Sequence, residues 1–179
     1  MITQSRMTEE EFMRLPHDGR KWELVDGEAR EVPTSITDDM IVMNLGAMFK
    51  PYAQGRGYLT ASQAGFRMMN GNVRCPDAAF TRKERFPGGK PPNTFADFAA
   101  DLCIEIISPS EEPAEMRQKL IEYFSSGAQQ VWHLFPEARR VLIYTSPLES
   151  QSYEADDEMN AGDLLPGFHC RVSELFELE

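Results

Sequence analysis

The sequence predicts a mixed α/β (α+β) domain built around one central sheet. Short strand-like segments occur from about residue 22 to residue 144, and two stretches with helical spacing of apolar residues interrupt them, at 40–49 and 116–124. The 179 residues suit one domain, and the apolar fraction of 41% and charged fraction of 26% lie near the globular average. These values exclude disordered, collagen-like and coiled-coil classes.

The amino-terminal segment predicts a short helix followed by a hairpin. Thr8 and Glu11 have the spacing of a capping box, so a helix is expected to run to about Leu15, before Pro16. Strand-like residues 22–25 and 28–32 flank Asp26-Gly27, a pair that is typical of a tight hairpin turn.

A second helix is predicted after this hairpin. Thr37 or Asp38 can cap it, and apolar residues recur at helical spacing between Met40 and Phe49. Pro51 and Gly55 are expected to close it.

The middle of the chain predicts strands. Residues 57–69 are interpreted as strand, turn and strand, residues 73–80 as a further strand, and residues 82–93 as an exposed loop rich in proline, glycine and charge. Residues 101–107 form the most apolar stretch and predict a central buried strand.

The last third predicts one helix and two strands before an acidic, loop-rich tail. The helix covers 111–126, with Met116, Leu120 and Phe124 on one face, and the strands cover 130–135 and 139–144. A short helix is expected near 173–176.

The net charge of −11 argues against a protein that binds nucleic acid non-specifically. The charge is unevenly spread, because residues 67–90 carry six basic and two acidic side chains, whereas residues 149–179 carry nine acidic and one basic. The middle segment could meet a polyanion; alternatively, both segments are solvated faces.

Apolar runs are too short for a membrane span, and the polar start predicts no signal peptide. Three widely spaced cysteines form no disulfide framework or zinc pattern, which favours a reducing, cytoplasmic location. The three scattered histidines argue against a histidine-rich zinc site.

Two carboxylates stand out as candidates for chemistry. Glu105 lies inside the most apolar strand, where a buried carboxylate needs a cation, a hydrogen-bond network or a metal; alternatively, it faces solvent at a sheet edge. Asp77 follows Pro76 at the start of a strand, a common place for a structural aspartate. Two carboxylates at the ends of adjacent strands would suit a hard divalent cation such as Mg²⁺.

The helix after the Glu105 strand adds Lys119 and Tyr123, which are four residues apart and share a face. A solvated helix face is the alternative interpretation of this pair.

Together these residues resemble the PD-(D/E)XK nuclease superfamily. Six segments follow one another in an order that is similar to the Uma-type restriction endonuclease family, catalogued as a domain of unknown function. The resemblance runs from about Thr8 to Phe176, and its segments are 22–28, Pro76-Asp77, 102–110, 119–123, 127–132 and 165–168.

The resemblance implies a restriction-endonuclease-like core, with a central mixed sheet flanked by helices. We expect one such domain over 1–179, with an amino-terminal helix and hairpin over 1–36, the nuclease core over 37–145 and an acidic extension over 146–179.

The resemblance also implies a Mg²⁺-dependent endonuclease that hydrolyses DNA phosphodiester bonds, with Mn²⁺ as a substitute metal. Asp77, Glu105 and the Ile106 carbonyl would hold the metal, which lowers the pKa of a bound water. A lysine would orient that water. A homodimer is implied, because cutting both strands needs two sites.

The sequence departs from the superfamily at Ile107, where the lysine usually stands. Lys119 is the natural substitute, supported by Tyr123. Glu23 would add a carboxylate, or else pair with a nearby arginine. Nucleic-acid contacts are expected from four residues of the basic segment: Arg67, Arg74, Arg82 and Lys83.

Two other functions stay open. One is a non-catalytic or regulatory binding module that kept the fold, since the usual lysine is missing. The other is a hydrolase of small phosphate-containing metabolites, which would suit an acidic protein. The sequence does not distinguish DNA from RNA as substrate. Trp132 is expected in the core.

Overall fold

The computed structural model describes residues 6–16 and 18–178. The expectations that concern the polar first residues and His17 lie outside the described residues. The helices are α1 (Glu9–Phe12), α2 (Ile36–Ala53), α3 (Pro113–Ser125) and α4 (Val172–Leu175). The strands are β1 (Trp22–Val25), β2 (Glu28–Glu31), β3 (Gly57–Ala61), β4 (Phe66–Arg67), β5 (Val73–Arg74), β6 (Ala78–Arg82), β7 (Leu102–Ile106), β8 (Gln130–Phe135), β9 (Arg140–Ser146), β10 (Glu149–Tyr153), β11 (Glu158–Asn160) and β12 (His169–Arg171).

A six-stranded mixed sheet forms the centre of the molecule, in the order β10-β9-β8-β7-β6-β3. The β7–β8 pair is parallel and its neighbours are antiparallel. The β1–β2 hairpin belongs to a separate four-stranded sheet, in the order β2-β1-β5-β4. The predicted fold class, hairpin and central strand are therefore confirmed.

Each face of the large sheet carries one long helix. Alternation along β7 points Leu102 and Ile104 towards α2, into a core that contains Trp132 at 0% exposure. The same alternation points Cys103 and Glu105 towards α3, whose Leu120 packs in the second core. Glu105 thus lies on the α3 face because it is one residue out of phase with the apolar residues around it.

Some predicted boundaries are wrong. Residues 73–80 are two strands in different sheets, separated at Pro76-Asp77. The cap of α2 is Ser35 rather than Thr37 or Asp38, because Asp38 is the third residue of its capping box. Pro51 lies inside α2, in its final turn, and α1 stops at Phe12.

The acidic tail is more regular than expected. It forms β10, β11, β12 and α4, and its apolar residues, including Met159, Leu165 and Phe168, pack in the α2-side core. In the described part of the chain, no helix combines the length and apolar character needed to cross a bilayer.

Candidate functional site

The break between β5 and β6 places Asp77 at the start of a central strand. Asp77 is 8% exposed, and its Oδ2 accepts a hydrogen bond of 2.7 Å from the backbone N–H of Ile106 on the neighbouring strand. Its Oδ1 accepts a bond of 2.7 Å from Lys21 Nζ. The constrained Pro76 thus starts a strand whose first carboxylate is fixed from both sides.

Glu105 lies beside Asp77 on β7 and is 2% exposed, which excludes the solvent-facing edge position. Lys119 Nζ donates to Glu105 Oε2 at 2.9 Å, and the Tyr123 hydroxyl donates a short hydrogen bond to Oε1. Both oxygens of this buried carboxylate are therefore satisfied, as burial requires.

The α3 face that carries Lys119 and Tyr123 is buried rather than solvated. Lys119 is 5% exposed and Tyr123 is 0% exposed, whereas Met116 and Phe124 of the apolar face are only partly buried. One helical turn separates Lys119 from Tyr123, so both side chains reach Glu105 together. Lys119 also contacts Glu111 Oε1 at 3.5 Å.

Lys21, like Glu111 beside Lys119, is a site residue that sequence analysis missed. It is 5% exposed and directly precedes β1, yet its ammonium pairs with Asp77, 56 positions later in the chain. A signal was available, because Lys21 and Glu23 are two residues apart along an extended segment and so point to one side. That pattern alone does not reveal the partner.

Glu23 is held by Arg74, as the alternative interpretation predicted. Arg74 is 0% exposed and donates from Nη1 to Glu23 Oε2 at 2.8 Å and from Nε to Glu122 Oε2 at 2.5 Å. Glu23 Oε1 accepts from the Cys75 N–H at 2.9 Å. Glu23 therefore borders the cleft described below, but its carboxylate is committed to fixing the chain just before Asp77.

The lysines stabilise the charged form of Glu105. Burial raises its pKa, but Lys119, Lys21 and the Tyr123 hydroxyl together outweigh burial and lower it below its ordinary value. For Asp77 the effect of burial, joined by the charge of Glu105, exceeds that of Lys21 and raises the pKa. The pKa of Lys119 is raised, since Glu105 and other carboxylates outweigh the opposing effect of burial. The site thus holds charges of both signs on largely buried side chains.

A cleft of about 240 Å³ opens onto these residues. The residues that line it occur at sequence positions from Glu23 to Lys119. Asp77, Glu105 and Ile106 border it. The N–H of Ile106 bonds Asp77 whereas that of Ile107 bonds Leu134 on β8, so the backbone groups of Ile106 face the Asp77 side of β7.

These donors fit a hard divalent cation, because two carboxylates and a main-chain carbonyl are oxygen ligands of the kind that Mg²⁺ takes. Within residues 6–16 and 18–178, no group of three or more His, Cys, Asp or Glu side chains is arranged as a ready metal site. A divalent cation bound here would take two side-chain carboxylates and one backbone oxygen from the protein, and water or substrate would have to complete its shell.

The basic segment is scattered rather than gathered at the cleft. Arg74 is fully buried, so it cannot contact a nucleic acid in this arrangement; the structure corrects that expectation. Arg67 pairs with Glu9 and Asp97. Arg82 and Lys83 lie at the opposite end of β6, about 16 Å along the strand from Asp77.

The fold and the site together define a restriction-endonuclease-like protein, with its aspartate, glutamate and lysine on two adjacent strands and the following helix. Residues 9–173 match the family model Uma2, described as "Putative restriction endonuclease", and the chain belongs to that family. Family and fold indicate a nuclease-like function.

A solved structure supports the fold. It is described as a putative nuclease belonging to DUF820 from Anabaena variabilis ATCC 29413, and it superposes with a TM-score of 0.79 over 95% of this chain and 97% of that chain. The two sequences are 22% identical, so this likeness concerns the fold. No curated protein matches the sequence.

Proposed function

We propose that this protein is a Mg²⁺-dependent endonuclease that hydrolyses phosphodiester bonds of DNA. The observation that carries the proposal is the convergence of Asp77, Glu105 and Lys119 in one cleft, although they come from three separate elements. Clustered groups of opposite charge in a buried cleft are characteristic of catalytic centres.

Asp77, Glu105 and the Ile106 carbonyl would hold the metal. When bound, the metal supplies a lowered pKa for a coordinated water and neutralises charge on the phosphate. Lys119 donates one N–H to Glu105 and one to Glu111. Its third N–H is left for the attacking water or for a phosphate oxygen. Tyr123 fixes the other oxygen of Glu105, so the carboxylate keeps one orientation while Lys119 acts.

Cleavage of supercoiled plasmid tests the proposal. We expect nicking by the wild type with Mg²⁺ or Mn²⁺, its loss with a chelator, and its loss in Asp77→Asn and Glu105→Gln purified in the same way. Asp156→Asn is the matched control, since this exposed carboxylate lies in the acidic tail. Equal nicking by all proteins would identify a contaminating nuclease. Inactivity towards both DNA and RNA would favour the non-catalytic module.

Acidic side chains at the cleft favour a second candidate, a hydrolase of small phosphodiesters. Glu31, Asp38, Glu111 and Glu115 border the cleft, with Arg30 and Lys119 as opposing charges. These carboxylates repel a long polyanion more than a short one. Inhibition of plasmid nicking by micromolar dinucleotides, followed by their hydrolysis, would identify this substrate class; unaffected nicking would reject it.

A homodimer completes the proposal, because hydrolysis of both strands at one locus needs two clefts. Sedimentation equilibrium with and without DNA measures it directly.

A further inference from the structure

Lys21 forms a buried ion pair with Asp77, as Lys119 does with Glu105. The Lys21 side chain is 3% exposed, and its Nζ lies 2.7 Å from Asp77 Oδ1. The charges of Asp77, Glu105 and Glu23 all act on this ammonium group. Lys21 therefore belongs to the carboxylate cluster itself, although it comes from the neighbouring sheet.

The groups that are directly ion-paired with Lys21 and Lys119 are nearly balanced in charge without a metal. Two ammonium groups, from Lys21 and Lys119, face three carboxylates, from Asp77, Glu105 and Glu111. When ionised, these five ion-paired groups carry one net negative charge, a sum that leaves out the other carboxylates bordering the cleft. A divalent cation would turn this into one net positive charge, and an uncompensated charge in a buried site is costly. A phosphodiester, with its single negative charge, would restore the balance.

We propose that Lys21 is a positioning residue that holds Asp77 and weakens metal binding until a phosphate anion enters the cleft. This inference rests on the metal-dependent function proposed above. Lys21 competes with the cation for Oδ1 of Asp77, and its charge in the loaded site is balanced by the phosphate. Metal and substrate binding are consequently coupled through one residue.

Calorimetric titration with Mn²⁺ tests the competition, at a fixed and mildly alkaline pH that keeps the carboxyl groups ionised. Lys21→Met removes the charge, Lys21→Gln removes it but keeps a donor for Asp77, and Lys21→Arg keeps the charge. We expect the Met and Gln variants to bind Mn²⁺ about tenfold more tightly than the wild type, as removal of an adjacent charge predicts. Lys21→Arg should retain the wild-type affinity.

Lys50→Met is the matched control, because Lys50 is exposed on the last turn of α2. It should change the Mn²⁺ affinity by less than about twofold, since an exposed charge contributes little. Circular dichroism and thermal unfolding verify that each variant is folded. If Lys21→Met does not fold, Lys21→Gln decides the question.

The dinucleotide thymidylyl-thymidine, a phosphodiester with one negative charge, tests the coupling. It should tighten Mn²⁺ binding to the wild type several-fold, after correction for the complex of Mn²⁺ with the dinucleotide, and should have less effect on Lys21→Gln. Equal Mn²⁺ affinities in the wild type and both neutral variants would overturn the inference, even if the wild type cleaves DNA. Misfolding of both neutral variants would also overturn it, by assigning Lys21 to folding alone.

The proposed function can be rejected independently of the role of Lys21. Tighter Mn²⁺ binding by the neutral variants, together with an absence of nucleic-acid cleavage by the wild type, would support the role of Lys21 and reject the endonuclease. Absence of Mn²⁺ binding by every protein would reject the metal centre and this inference together.

Discussion

The ammonium of Lys119 lies 2.9 Å from Glu105, although 14 positions separate the two residues in the chain. We expect Lys119→Ala to bind Mn²⁺ at least as tightly as the wild type, since it also removes a positive charge beside a carboxylate ligand. It should lose DNA cleavage by about 10²–10³-fold, the usual cost of removing one group that stabilises developing charge. Calorimetry and plasmid nicking measure the two effects. Lys50→Ala is the control, and loss of metal binding together with cleavage would assign Lys119 a different role.

Asp77→Asn and Glu105→Gln should abolish metal binding, because each substitution removes one of the two carboxylate ligands and keeps the side-chain volume. The loss should exceed the roughly 10–100-fold effect that removal of an outer partner causes. Titration with Mn²⁺ gives the affinity, and Asp156→Asn should match the wild type. Retained affinity in both cleft variants would reject the proposed ligands.

Arg74→Met is expected to reduce the free energy of unfolding by about 3–5 kcal/mol, since it leaves the carboxylates of Glu23 and Glu122 buried without their cation. Urea unfolding measures this change. Arg117→Met, on the exposed face of α3, is the control and should have little effect. An equally small effect for Arg74→Met would mean that the buried network contributes little stability.

The buried His133 should lower the free energy of unfolding in acid. It is 1% exposed, neither ring nitrogen has a hydrogen-bond partner among the described residues, and burial lowers its pKa from 6.5 to about 4. Between these values the unfolded chain binds a proton that the folded chain does not, so stability falls as the pH falls from 6.5 towards 4.

The slope from this group approaches about 1.4 kcal/mol per pH unit. His133→Phe should flatten it, because an aromatic ring keeps the contact with Tyr144, whose centroid is 4.9 Å away. Urea unfolding at several pH values gives both slopes. Parallel slopes for the wild type and the variant would show that other groups cause the acid sensitivity.

The large features of this fold could be predicted because they depend on local patterns. The capping box of Thr8 and Glu11 and the Asp26-Gly27 turn are set by nearest neighbours. The apolar run around Glu105 is set by burial on both faces of its strand. The central strand and the long helix after it therefore followed from local patterns. The choice of Asp77, Glu105, Lys119 and Tyr123 as site residues came from the resemblance to a nuclease family and stays a prediction.

The remaining features depend on contacts that no local pattern contains. Residues 73–80 divide into two strands because Arg74 and Cys75 are held by Glu23 within the four-stranded sheet, whereas the residues after Asp77 join the large sheet. Lys21 was missed for the same reason, since its partner lies 56 positions away. The basic segment led to a wrong prediction for Arg74 as a nucleic-acid contact. A count of charges along the chain does not show that this side chain is buried.

The two bonds that hold Asp77 also set the order in which the cleft can form. One partner precedes Asp77 by 56 positions and the other follows it by 29, so both loops must close before the carboxylate is fixed. Lys119 and Tyr123 come later still in the chain. During synthesis from the amino terminus, the cleft is therefore incomplete until α3 has emerged, and a nascent or truncated chain carries Glu105 without the two groups that orient it.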